Sequence, residues 1–149
     1  MAADPADSRR LLVTTGRGFY SSDDAGASWK YFKGLIRSYA VPLLVVDGAI
    51  YIATAAGPPP SWPLRHEGAD ALLLRSADYG RSFTPMVRTD GFSHPMRGMV
   101  MRLLSNPANT DEFFGVLTDG SVICGNRITG TIRTIAEKLP PAYDVAAIP

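Results

Sequence analysis

An all-β chain built of β-propeller blades, each a four-stranded antiparallel sheet, is what this sequence predicts. The first observation is a pattern that occurs twice. Ser22-Asp23-Asp24-Ala25-Gly26-Ala27-Ser28-Trp29 and Ser76-Ala77-Asp78-Tyr79-Gly80-Arg81-Ser82-Phe83 both read S-x-D-x-G-x-S-aromatic. The second is their separation: the copies start 54 residues apart, from Ser22 to Ser76, and a repeat period of about 50 residues is the length of one blade. The third is a steady alternation of β-prone runs with Gly/Asp/Asn/Pro turns, with no long helical pattern.

In chain order, strands are expected at residues 10–15, 19–22, 29–32, 39–46, 49–55, 71–75, 83–87, 98–104, 112–117, 121–125 and 132–135, with a last one at 143–148. Residues 39–46 are almost continuously apolar, as in a strand buried on both faces. Asp47-Gly48 is the strongest short hairpin signal, and Thr118-Asp119-Gly120 is another. Residues 57–70 form a long loop holding three consecutive prolines, Trp62, Pro63 and His66. Residues 125–131 sit where a third copy of the pattern belongs; they keep a glycine but lack the Asp and the aromatic. With strands A to D counted from the axis outward, the chain reads BCD, ABCD, ABCD, A. It forms one partial propeller domain over residues 1–149, with blades at 1–35, 36–90 and 91–140 and a final inner strand at 141–149. Three blades fall short of the usual minimum of about four. The expectations are therefore a C-terminal piece of a six- to eight-bladed propeller, ring closure by self-association, or a small compact β-fold.

Every part of the repeated pattern serves a turn. The Asp carboxylate can accept backbone N–H groups across the bend. Gly26 and Gly80 supply positive φ. Ser22, Ser28, Ser76 and Ser82 can close local hydrogen bonds, and Trp29 and Phe83 are expected to bury a ring on the sheet. Asp24 and Asp78 are accordingly structural and not catalytic.

Composition excludes several classes. The chain has 149 residues, 46% hydrophobic, with a net charge of +1, so it can bury a core and carries no nucleic-acid footprint. Cys124 is the single cysteine, which rules out an internal disulfide or a Cys-based metal cluster. Its apolar setting, Val122-Ile123-Cys124, suits a buried structural thiol. No apolar run approaches the ~18 residues of a membrane span. The acidic start, residues 1–7, lacks a signal-peptide core, so a cytoplasmic location is expected by default.

The twice-repeated pattern resembles the Asp-box, or BNR repeat, of sialidase-like β-propellers, matching at Ser22, Asp24, Gly26, Ser28 and Trp29 and at Ser76, Asp78, Gly80, Ser82 and Phe83. The layout is similar to bacterial glycosyl-hydrolase-like repeat proteins and, more distantly, to photosystem II assembly propellers. The resemblance implies that the boxes are peripheral turns rather than active-site residues.

Strand alternation places both boxes on one rim and the loops at residues 35–39, 57–70 and 88–97 on the other. That loop-rich rim carries Arg37, Tyr39, Trp62, Arg65, His66, His94 and Arg97 as ligand-binding candidates, beside Glu67 and Asp90. Aromatics and arginines together suit sugars or carboxylates. Trp62 can equally pin its own loop, the histidines can be solvated loop residues, and Arg37 and Arg97 can make a repeated structural contact. No metal or cofactor site is expected. The function expected is a non-catalytic propeller that binds a glycan, peptide or protein partner. One alternative is a sialidase-like glycoside hydrolase, exo-acting and retaining, with an arginine triad, a tyrosine nucleophile assisted by a glutamate, and an aspartate acid/base. Arg37, Arg65, Arg97, Tyr39, Glu67 and Asp90 can be cast in those roles, but the Phe/Tyr-Arg-Ile-Pro motif of that family is absent, so its remaining catalytic residues would lie outside this chain. The other alternative is a scaffold or assembly factor.

Overall fold

The computed structural model describes residues 1–91, 95–140, 144 and 146. In the first sheet β1 (Ala2–Asp4), β2 (Asp7–Thr15), β3 (Gly18–Ser22) and β4 (Lys30–Tyr31) pair antiparallel in sequential order. The second repeats the meander with β5 (Tyr39–Val46), β6 (Ala49–Ala55), β7 (Leu72–Ser76) and β8 (Thr84–Pro85). β9 (Val87–Arg88) leaves that sheet at once. The third sheet runs β10 (Val100–Ser105), β11 (Glu112–Leu117), β12 (Val122–Asn126) and β13 (Thr131–Ala136), with β9 added parallel to β13 at its outer edge. β5 packs against β10 on one side and β2 on the other, so the early strands of each sheet gather toward one axis. This is a fan of propeller blades.

Local chemistry explains the joints. Asp47 and Gly48 both take positive φ, 47° and 76°, and close the β5–β6 hairpin as a primed turn. Along β6, successive side chains point to opposite faces. Ile50 and Ile52 join Leu12, Phe19, Leu72 and Leu74 in a core between the first two sheets. Tyr51 and Ala53 join Leu73, Met86, Met99, Phe113 and Ile123 in a core between the second and third. At about 25 cal/mol per Å² of apolar surface, these two seams are the main cohesive force of the fan.

Several expectations change. The first sheet is not missing its innermost strand: Ala2 and Ala3 pair with Leu12 and Leu11. The acidic start is used there, because buried Asp4 accepts the Ala6 N–H at 2.9 Å and a guanidinium N–H of Arg10 at 3.0 Å. The strand buried on both faces is β6, not residues 39–46; in β5 only Ala40 and Pro42 are buried. β5 is the edge strand of its sheet, whereas β6 lies mid-sheet between two blades. The strand expected at 83–87 divides, since the Val87 N–H turns to the Gly130 carbonyl of the next sheet. A short 3-10 helix, Pro59–Leu64, shapes the proline-rich loop. The last strand expected, at 143–148, lies outside the described residues except for Asp144 and Ala146. Among the described residues, no helix is long and apolar enough to cross a membrane.

Candidate functional site

The two boxes fold into the same hydrogen-bonded knot. The Ser22 hydroxyl donates to Asp24 Oδ1 at 2.7 Å and accepts the Gly26 N–H at 2.9 Å. Asp24 then accepts the Ser28 N–H at 2.8 Å and the Ser28 hydroxyl at 2.6 Å. In the second box Ser76 to Asp78 is 2.7 Å, Gly80 to Ser76 2.8 Å, and Asp78 takes the Ser82 N–H at 2.9 Å and hydroxyl at 2.6 Å. Hydrogen bonds from Ser28 and Ser82 hold these carboxyls down at about 2. A carboxylate so occupied is a poor general acid or base near neutrality. Gly26 and Gly80 take φ of 92° and 82°, and the residues before them, Ala25 and Tyr79, are also left-handed at 58° and 59°.

Trp29 departs from expectation: it is 41% exposed. Phe83 packs edge-on against Phe32 of the preceding blade, with ring centroids 5.2 Å apart, whereas the described residues place no other sheet against Trp29. The third turn has not lost its acceptor either. Asn126 Oδ1 takes the N–H groups of Ile128 and Thr129 at 3.0 and 2.9 Å and the Thr129 hydroxyl at 3.0 Å, so an amide oxygen serves where the boxes use a carboxylate. The adjoining Arg127 is nearly buried and bridges blades, donating to Asp47 Oδ2 at 2.5 Å and to the Thr110 carbonyl.

The loop-rich rim is built by two loops that zip together. The Ala69 N–H donates to the Arg97 carbonyl at 2.8 Å, and Ala71 and Met96 exchange N–H···O bonds at 2.7 and 2.8 Å. This close approach requires a glycine at Gly68, whose φ is 65° and where a Cβ would lie 2.6 Å from the Arg97 carbonyl oxygen. Arg37 grips Asp70 through Nε at 3.1 Å and Nη2 at 2.7 Å. Arg65 Nη2 lies 3.8 Å from the same carboxylate and its Nη1 donates to the Ala56 carbonyl. Trp62 Nε1 donates to the Gly57 carbonyl at 2.8 Å, and its ring stands edge-on to Tyr39, 5.7 Å between centroids. Arg97 Nη1 donates to the His66 carbonyl at 2.7 Å. Arg37, Tyr39, Trp62, Arg65, His66 and Arg97 are thus tied into one loop cluster. His94 lies outside the described residues. Asp90 stands apart, bonded to Arg88 at 2.8 Å and to the Thr134 N–H at 2.5 Å.

Between the second and third blades this cluster borders a cavity of about 390 Å³. Glu67, Arg97, Asp119, Ser121 and Glu137 are among its lining residues, with His66 and Asp70 at the side of the zipped loops and the apolar Pro95, Met96, Leu117 and Ile123 between them. Such a mixture can hydrogen-bond hydroxyl, amide and ammonium groups. Asp70 and the β11–β12 hairpin carry no binding motif, so sequence alone gave no signal for them. Among the described residues no group of three or more His, Cys, Asp or Glu is placed to hold a metal.

The chain superposes on YCF48 from Cyanidioschyzon merolae with a TM-score of 0.61 over 93% of its own length. The fold is that of a β-propeller. The two sequences are only 12% identical, and the match spans 36% of the YCF48 chain. No family model and no curated protein matches the sequence.

Proposed function

We propose that this chain is a non-catalytic binding module that takes a polar partner, a glycan or a peptide segment, on its loop-rich rim. The observation that supports this reading is the cavity of about 390 Å³ where loops of two blades meet. Cavities at the junction of structural units, with a few convergent polar groups, are where ligands are usually held, and loops on a rigid scaffold concentrate binding residues. The arginines that a sialidase-like reading would use to bind a substrate carboxylate already have protein acceptors: Arg37 holds Asp70 and Arg97 holds the His66 carbonyl. In this reading they shape the rim, and Glu67, Asp119 and Glu137 meet the ligand.

The test is titration of the purified chain against glycan and peptide panels, followed by Glu67→Ala and Glu137→Ala. Loss of about tenfold or more in affinity at unchanged melting temperature is expected, equivalent to about 1.4 kcal/mol. Unchanged affinity in both variants overturns the site. Hydrolysis of an aryl sialoside by the purified chain overturns the non-catalytic reading.

A further inference from the structure

The cavity between the second and third blades sorts its lining by depth. Met96, Leu117 and Ile123 are buried and form an apolar floor. Glu67, Asp119 and Glu137 are exposed and stand at the mouth. They come from three separate segments: the loop before β7, the β11–β12 hairpin and the residue after β13.

The lining charges are unequally occupied. Arg88 donates to Asp90 at 2.8 Å and to the Thr134 hydroxyl at 2.7 Å, and Arg97 donates to the His66 carbonyl at 2.7 Å. Asp70 is held by Arg37 at 2.7 Å. Among the described residues, the carboxylates of Glu67 and Glu137 take no hydrogen bond or ion pair. Asp119 accepts the Ser121 N–H through Oδ1 at 3.0 Å. Its Oδ2 lies against Gly98, where a Cβ would fall 2.6 Å from it. Its own hairpin and a glycine that leaves room for it therefore set the Asp119 carboxylate at the mouth. Among the described residues four carboxylates line the cavity, against two arginines that are already engaged.

We propose that this cavity takes a peptide segment in which one apolar side chain is flanked by lysine or arginine. The proposal rests on the reading of the chain as a binding module and names the partner of that same site. The apolar side chain covers Met96, Leu117 and Ile123, and the flanking cations meet Glu67, Asp119 and Glu137. At about 390 Å³ the cavity lies near the small end of the roughly 300–1,000 Å³ of ligand pockets, which suits one anchoring side chain. A neutral sugar would set hydroxyls against the apolar floor, where they lack partners. A small amine carries its charge on one side only, whereas the carboxylates approach from three segments. Residues on either side of an anchor along a chain match that arrangement. The buried anchor supplies affinity, and the exposed charge pairs supply selection and a salt-dependent association rate.

The probe is a labelled synthetic pentapeptide with a central leucine between two lysines, titrated against the purified chain to millimolar concentration. Its counterparts carry glutamates for the lysines or a serine for the leucine. The lysine–leucine peptide should bind at least tenfold more tightly than either counterpart, and its affinity should fall as salt is raised from about 50 to 500 mM. The double variant Glu67→Gln, Glu137→Gln should weaken that peptide about tenfold at unchanged melting temperature and flatten the salt dependence. A glutamate peptide or a neutral glycan that binds as tightly as the lysine–leucine peptide overturns this proposal and leaves the binding module standing. So does a double variant that retains full affinity and salt dependence. If no peptide and no glycan binds saturably, the binding-module reading falls and this proposal with it.

Discussion

Phe83, the last residue of the second box, packs edge-on against Phe19 of the first blade, with ring centroids 5.1 Å apart and planes at 72°. The box turn therefore does more than reverse the chain. It delivers an aromatic ring across the seam between blades, and T-shaped pairs of this kind contribute about 0.5–1.5 kcal/mol beyond the area they bury.

Gly80→Ala should cost more than Gly26→Ala. Both sites have left-handed φ, a strain of about 1 kcal/mol for alanine. Only Gly80 faces a neighbouring blade, with Phe19 atoms 2.5 and 2.8 Å from the new methyl, adding about 1–3 kcal/mol of overpacking. Equal melting temperatures for the two variants would show that the seam yields freely.

Asp24→Ala and Asp78→Ala should lower the melting temperature by on the order of 5 °C each and leave any ligand affinity of the folded protein unchanged. Each removes an acceptor of Ser28 or Ser82 donors at the turn. Affinity lost at constant melting temperature would move the boxes from structure to binding.

Acid should erase the contribution of the boxes. Asp24 and Asp78 sit at about 2 in the folded chain against an ordinary 3.8. Their depressed pKa adds stability wherever the carboxylates are ionised in both states, above about pH 4. As pH falls toward 2 the unfolded chain takes up protons first, and the contribution disappears. Comparing denaturation of the native chain with an Asp24→Asn, Asp78→Asn double variant, the gap present at pH 7 should close by about pH 2. A gap of constant size would show that the carboxylate charge is not what stabilises the turn.

Arg127→Met should destabilise by about 1–3 kcal/mol, because Arg127 joins the third turn to Asp47 of the second blade and to the Thr110 carbonyl. Chemical denaturation measures it. A neutral result would mean that the Asp47 carboxylate, largely exposed, contributes little to the bridge.

Arg37 and Asp70 should be coupled. Their side chains are 17% and 15% exposed and share a bidentate contact, so a double-mutant cycle with Arg37→Ala and Asp70→Ala should give a coupling of about 1 kcal/mol or more. Independent, additive losses would show that the two loops are held by their backbone bonds alone.

The boxes, the Asp47-Gly48 hairpin and the all-β class were legible in the sequence because they rest on contacts a few residues apart. Ser22, Asp24 and Ser28 satisfy one another, and positive φ at Gly26 needs no distant partner. The loop cluster was legible only as a group of residue types on one rim. That Arg37 meets Asp70, 33 residues away, or Arg127 meets Asp47, 80 residues away, depends on which loops the stacked blades bring together. No local propensity encodes that choice. The same holds for β9, which exchanges one sheet for the next within a two-residue step, and for β1, whose acidic sequence makes a strand because β2 offers an edge and Arg10 a partner for Asp4. Sequence alone determined the turns, the strand alternation and hence the blade. Tertiary structure decided which side chains another sheet covers, because burying Ile50 or leaving Trp29 exposed depends on whether a sheet among the described residues packs on it.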